Sequence, residues 1–175
     1  MFTKPETNIL HLGLREGMRV ADFGAGTGFY CKAISPRVGN SGKVYAIEVQ
    51  KDLVKKLESD LKELGIHNVD CIWGDIERRG GTKLLDNSMD VVIISNVLFQ
   101  VEDKIGIIDE AKRVLRKGGK ILLVDWSDSF GGMGPAPHHV MPEAEARELF
   151  EKRGFRFEEK ISTSVHHYGI IFTYE

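Results

Sequence analysis

Three glycines at alternate positions, Gly24, Gly26 and Gly28, follow an apolar run that carries one acid, Val20-Ala21-Asp22-Phe23. Glycine reaches positive φ without steric cost and lets a ligand approach the backbone, so this stretch, with Ala25 between its first two glycines, reads as a strand, a tight turn and a helix start shaped around a ligand. The dinucleotide fingerprint G-x-G-x-x-G needs its third glycine one place later, where this chain has Phe29. Asp22, two residues ahead of the first glycine, is a poor neighbour for a pyrophosphate and a better one for a cation. Further acids follow at two later strand ends. Glu48 lies about 20 residues beyond the loop, where a carboxylate accepts hydrogen bonds from both hydroxyls of a ribose. Asp75 comes one strand later, where an adenine amine needs an acceptor and the flat ring needs apolar neighbours such as Val49 and Ile76. Ser95 and Asn96 end a fourth apolar run on the same crevice. The ligand these residues describe is an adenosine with a compact, partly cationic substituent.

The elements that position them alternate strand and helix. A short helical flank from Pro5 to Leu12, with Ile9, Leu10 and Leu12 patterned, is closed by Gly13. Strands are expected over Met18–Phe23, Lys43–Val49, Val69–Trp73, Asp90–Ser95 and Lys120–Asp125, the last two apolar enough to be covered on both faces. Helices are expected over Phe29–Ser35, ended by Pro36, over Lys51–Leu64, over Asp103–Arg116 with Gly118-Gly119 at its end, and from Pro142 to Arg153. In the second of these Leu53, Val54, Leu57, Leu61 and Leu64 recur at three and four residues and should face the sheet. Phe155–Ser164 and His166–Tyr174 read as a closing antiparallel hairpin. The alternation gives an α/β sandwich with a mainly parallel sheet, whose ligand sits outside the carboxyl ends of the strands.

At 175 residues the chain reads as a single domain, with residues 1–16 as a short flank or lid. Its 24 Lys+Arg balance 26 Asp+Glu without blocks of like charge, so no nucleic-acid or membrane-surface footprint is visible and small partners are favoured. Cys31 and Cys71 form no C-x-x-C pair and read as core, which argues against zinc or a disulfide framework and for a reduced, cytoplasmic protein. The segment Met1–Pro5 lacks an apolar signal region, and no apolar run reaches the roughly 18 residues of a membrane span.

The ordered set Val20-Ala21-Asp22-Phe23-Gly24-Ala25-Gly26-Thr27-Gly28, Ala46-Ile47-Glu48, Gly74-Asp75-Ile76, Asp90-Val91-Val92 with Ser95-Asn96-Val97-Leu98, and Leu115-Arg116-Lys117-Gly118-Gly119 resembles the class I S-adenosylmethionine-dependent methyltransferases. The resemblance spans nearly the whole chain. It implies a three-layer, Rossmann-like α/β sandwich with seven strands in the order 3-2-1-4-5-7-6, the last antiparallel. It implies S-adenosyl-L-methionine as cofactor, with the glycine loop at the methionine part, Glu48 at the ribose and Asp75 at the adenine. Asn96-Val97-Leu98-Phe99-Gln100-Val101 looks like the small-molecule branch that includes the ubiquinone/menaquinone C-methyltransferases, with Phe99 and Gln100 where members of that branch often carry histidines. The stretch lacks the Asn/Asp-Pro-Pro-aromatic signature of amino methyltransferases acting on nucleobases. The acceptor expected is therefore a small molecule of apolar or aromatic kind.

A sulfonium methyl is already electrophilic, so the protein mainly aligns an acceptor and excludes water. If a base takes part, His138 or His139 in the glycine- and proline-rich stretch Trp126–Val140 is the candidate. In that stretch Trp126, Phe130 and Met133 either line an acceptor pocket or pack the loop down, and His166-His167 reads as hairpin surface. Two rivals stand beside this reading: a nicotinamide-dependent oxidoreductase on the same sandwich, and a non-catalytic S-adenosylmethionine-binding partner protein.

Overall fold

A computed structural model describes residues 4–130, 132 and 134–175. Its centre is one sheet of seven strands: β1 (Arg19–Phe23), β2 (Lys43–Glu48), β3 (Val69–Trp73), β4 (Met89–Ser95), β5 (Leu115–Trp126), β6 (Phe155–Ile161) and β7 (His167–Tyr174). They lie in the order β3-β2-β1-β4-β5-β7-β6. The first five run parallel, and β7 is antiparallel to both β5 and β6, as expected of a closing hairpin.

Both faces of the central strands are buried because their side chains alternate between two cores. Val92, Ile94, Ile121 and Leu123 point to one face, where Ile107 and Ile108 of α4 (Lys104–Val114) and Phe150 of α5 (Glu143–Lys152) meet them. Val91, Ile93, Leu122 and Val124 point to the other, against Tyr30, Cys31 and Ile34 of α2 (Phe29–Val38). Leu57 and Leu61 of α3 (Lys51–Glu63), and Ile9 and Leu12 of the amino-terminal flank, complete that second core. The flank is a short helix α1 (Pro5–Asn8) followed by a 3-10 turn, Ile9–Leu12, and Gly13 ends it at φ 61°.

Several boundaries depart from the sequence reading. Pro36 lies inside α2, because a proline this close to the helix end forfeits one hydrogen bond while the last turn still closes from the Gly39 amide to the Ser35 carbonyl at 3.2 Å. The helix before β5 stops at Val114, since Leu115 takes an extended conformation to pair with Met89, and the Gly118-Gly119 turn falls within the β5 excursion. Leu64, 61% exposed, and Leu10 do not join the core, and Cys71 is half-buried at the β3 edge while Cys31 is fully buried.

The polar segment between β3 and β4 has no regular structure, and one buried carboxylate holds it. Glu110, fully buried on α4, accepts from the Gly80 amide at 2.8 Å, the Thr82 amide at 3.3 Å and the Thr82 hydroxyl at 2.5 Å. Arg113 donates to it twice, at 2.8 and 2.7 Å, and also to the Leu84 carbonyl at 2.9 Å and to Asp86. Burial pushes the Glu110 carboxyl up, but the bonds from Arg113, Thr82 and the two amides outweigh it and bring it down to about 2. An acid whose folded pKa lies below its unfolded value adds stability that is present above the unfolded pKa and lost as pH falls. We expect Glu110→Ala to cost on the order of 3 kcal/mol at pH 7 by urea unfolding, since it removes two bonds from the Arg113 guanidinium and the shared acceptor of the Gly80 and Thr82 donors, and to cost progressively less as pH falls from about 4.5 towards 2.

Candidate functional site

The sheet order places β1 between β2 and β4, and from β1 the chain winds outward on opposite sides. Side chains leaving the carboxyl ends of β1 to β4 therefore diverge and leave a cleft, of about 900 Å³ here. Asp22, Gly24, Ala25, Gly26, Glu48, Val49, Asp75, Ile76, Ser95 and Asn96 all line it.

The glycine loop gets its shape from its own hydrogen bonds. The Gly24 and Ala25 amides both donate to the Ile47 carbonyl at 2.9 Å, and the Gly28 amide closes on the Ala25 carbonyl at 2.8 Å. The Gly26 amide donates to Glu48 Oε2 at 3.1 Å, while Glu48 Oε1 accepts from the Gln50 amide at 2.9 Å. These four loop amides are satisfied within the protein, so they do not form the cradle of free N–H groups that a pyrophosphate needs. A carboxylate has about four acceptor sites, so Glu48 keeps capacity towards the cleft. Gly24, at φ 77°, also permits a close approach, since a Cβ there would stand 2.8 Å from Val97 Cγ2. Gly28 does not line the cleft. Its φ of 78° starts α2, and a Cβ there would run into Leu57 Cδ1, so this glycine serves helix packing rather than the ligand wall.

Asp22 is buried at the cleft floor, and its Oδ2 accepts from the Cys31 thiol at 3.1 Å. Burial, opposed by the thiol hydrogen bond and reinforced by the nearby Glu48 charge, raises its carboxyl from 3.8 to about 6. Asp75 turns one oxygen to the Glu77 amide at 2.9 Å and the other to Arg78 Nε at 3.2 Å. Asn96 has a positive φ of 56°, uncommon for a side-chain-bearing residue. Its amide donates to the Val124 carbonyl at 2.8 Å, and its Oδ1 is buried without a partner among the described residues. Among the described residues that line it Asp22, Glu48, Asp75 and Glu77 are acidic, and none is Lys, Arg or His.

Sequence reasoning missed Pro5, Phe29, Tyr30, Leu53 and Gln100 on the wall. Tyr30 accepts a bond from buried Asn8 at 2.8 Å, which joins the flank to the cleft. It also missed Asp125, whose oxygens take the Leu98 and Trp126 amides at 2.8 Å each and so tie the segment after β4 to the end of β5. An acid closing an apolar, doubly covered strand was the available signal. Burial, against the pull of those amides and of Lys104, raises its carboxyl to about 6.

His138 and His139 sit exposed on a 3-10 turn, Pro137–His139, their rings 4.1 Å apart, and neither lines the cleft. His167 is not hairpin surface: it is 7% exposed, because the register of β5 against β7 sets it opposite Trp126, whose indole lies 4.2 Å from its ring. Met133 and Gly131 lie outside the described residues.

A sequence profile of the family described as a methyltransferase domain matches residues 14–167. The chain belongs to that family. It is 29% identical to an S-adenosylmethionine-dependent methyltransferase of known structure from Aquifex aeolicus, with a TM-score of 0.90 over 99% of this chain and 91% of that one. A type 11 methyltransferase structure from Sulfolobus solfataricus has the same fold, at 24% identity and a TM-score of 0.79, covering 100% of this chain and 94% of that one. The ubiquinone/menaquinone biosynthesis C-methyltransferase of Idiomarina loihiensis is 34% identical over 66% of this chain, and that match spans 45% of the relative's own length. The fold is that of the class I enzymes, and the cofactor of this methyltransferase domain is S-adenosylmethionine. Among the described residues no helix is long and apolar enough to cross a membrane, and no group of three or more His, Cys, Asp or Glu is placed to hold a metal ion.

Unfolded Asp22 titrates near 3.8 and native Asp22 near 6, so the ligand-free native state holds the extra proton between these values and this term removes stability as pH rises through them. Asp125 acts with the same sign. In urea unfolding from pH 4 to 7, Asp22→Asn is expected to abolish Asp22's share of that decline, on the order of 2 kcal/mol across the range, and to leave Asp125's share.

Proposed function

We propose that the chain, acting as a single cytoplasmic domain, transfers the methyl group of S-adenosylmethionine to a small, uncharged acceptor. The observation that carries this reading is the pairing of Glu48, held across the glycine loop from the Gly26 amide, with Asn96 Oδ1, buried and unpartnered on the opposite wall. The residues fit the cofactor. Glu48 offers its remaining acceptor sites to the ribose hydroxyls, and exposed Val49 with Ile76 offers apolar cover to the adenine, whose amine meets Asp75. Asp22, Ser95 and Asn96, with the Gly24–Gly26 backbone, surround the methionine part, where an orphan carbonyl oxygen suits an ammonium donor.

When bound, the cofactor supplies a methyl group on a cationic sulfur, electrophilic without further activation. The chain's own work is to bind, orient and keep out water. The flank supports this: Pro5 lines the cleft, and Asn8 anchors α1 to Tyr30, so its described part, residues 4–16, serves as a side wall or lid. An acid-lined cleft without Lys, Arg or His disfavours an acceptor carrying phosphate or carboxylate. The free thiols of Cys31 and Cys71 support the cytoplasmic placement.

Calorimetric titration with S-adenosylhomocysteine is expected to show one site, with NAD giving no binding. Glu48→Ala, which removes charge-assisted bonds to two hydroxyls, should weaken it at least 10-fold. Affinity should rise as pH increases from about 5 to 7, because Asp22, near 6 in the free protein, must ionise to face an ammonium, and this rise should flatten in Asp22→Asn. Stabilisation by NAD but not by S-adenosylhomocysteine would overturn the reading.

A further inference from the structure

Asp22, on the cleft floor, is held by a side chain that does not itself line the cleft. Cys31 stands third in α2 and is fully buried in the second core. Helix side chains lean towards the helix N-terminus, so its sulfur reaches back past the glycine turn to the end of β1. There the thiol donates to Asp22 Oδ2 at 3.1 Å, and it meets the carboxylate from behind the floor.

The setting makes Cys31 a donor. Burial, with the Asp22 charge beside it, pushes its thiol well above the usual range, so the sulfur keeps its proton. A thiol also behaves as a small apolar group, which suits it to the apolar residues of that core. Asp22 is 3% exposed, and its neighbours in register, Ala46 of β2 and Ile93 of β4, are apolar. Two other titratable groups act on the pair: Glu48 of β2 on Asp22, and Cys71 of β3 on Cys31, each opposing ionisation of its neighbour. Against burial and Glu48, it is the thiol and amide of Cys31 that draw the Asp22 carboxyl down. A carboxylate offers about four acceptor sites, so one thiol leaves Asp22 capacity towards the cleft.

We propose that Cys31 is a positioning residue of the cofactor site: its thiol orients Asp22 and holds it as the anionic partner of the ammonium group in the methionine part. The proposal rests on the methyltransferase reading above. An anion on a dry floor needs hydrogen bonds from within the protein, because water reaches it only from the cleft and a bound ligand displaces that water. Once the ammonium arrives, the carboxylate lies between two donors, sulfur behind and nitrogen in front. Cys31 thereby sets the pH at which the cleft accepts an amino-acid moiety, and leaves the adenosine end untouched.

Titration of the full chain with S-adenosylhomocysteine from pH 5 to 7.5 tests this. Cys31→Ala removes the thiol but leaves the amide, and should move the midpoint of the affinity rise up by about one pH unit. Affinity should then be about 5-fold weaker than wild type at pH 6 and within about 2-fold of it at pH 7.5, which also shows that the variant folds. Cys31→Ser restores a donor and should return the midpoint to within about 0.3 units of wild type. 5′-Methylthioadenosine, which keeps the adenosine and sulfur but has no ammonium, should bind with the same pH profile in all three proteins. A readout without substitution at position 31 uses Cys71→Ser, which leaves Cys31 as the single cysteine. Its infrared S–H stretch should move to lower wavenumber as pH rises through about 6 and Asp22 becomes the stronger, ionised acceptor. An equal loss of affinity at both pH values, an unmoved midpoint in Cys31→Ala, a midpoint left high in Cys31→Ser, an unmoved S–H band, or the same midpoint shift with 5′-methylthioadenosine overturns the positioning role. Failure of the wild-type chain to bind S-adenosylhomocysteine overturns the cofactor reading instead.

Discussion

The Glu48 carboxylate is the tie on which the cleft depends. One oxygen takes the Gly26 amide and the other the Gln50 amide, so a single side chain at the end of β2 joins the turn after β1 to the entry of α3. Both bonds are charge-assisted and shielded by burial, which makes them stronger than neutral bonds in water. With the Gly24 and Ala25 amides sharing the Ile47 carbonyl, the loop is braced from the neighbouring strand before any ligand arrives. A site braced in this way needs little ordering when it binds, and the cost of binding falls accordingly.

The same device recurs at two other places. Asp125 at the end of β5 receives the Leu98 amide and its own following amide, which fixes the segment leaving β4. Glu110 on α4 gathers Gly80, Thr82 and Arg113, which fixes the segment leaving β3 that presents Asp75 and Ile76. Irregular backbone cannot satisfy itself through a helix or sheet ladder, so buried carboxylates do it instead. Their protonation behaviour differs with their partners. Glu110 has a guanidinium bonded to it and is held low, whereas Asp22 takes a thiol and Asp125 backbone amides, and burial pushes both up.

The cleft is asymmetric in chemistry. Its β2 and β3 side carries carboxylates suited to a sugar and a base, while its β4 side carries neutral polar groups, Ser95, Asn96 and Gln100, beside Val97 and Val101. Phe29, 71% exposed at the head of α2, adds an apolar rim. Carboxylates thus lie towards the β2 and β3 side of the sheet and neutral polar groups towards the β4 side.

Much of this was legible in the residues themselves. Apolar runs of strand length, glycines spaced for a turn and acids at successive strand ends depend on local geometry, and they determined the parallel sheet, its helices and ten of the residues that line the cleft. Local signals could not separate Gly28 from its two neighbours, because its role is set by Leu57, far away in the chain. They misjudged His167 for a related reason: alternation along a strand tells two faces apart but not which one a partner strand covers, and β5 brings Trp126 across from it. His138 and His139 have the same side chain as His167, and only the tertiary structure left the first two in solvent and closed the third under an indole. The sequence by itself determined which cofactor the protein is built around, since that rests on short stretches each folding into its own turn. The covering of His167 rests on pairing between segments about 40 residues apart, which exists only once the sheet has assembled.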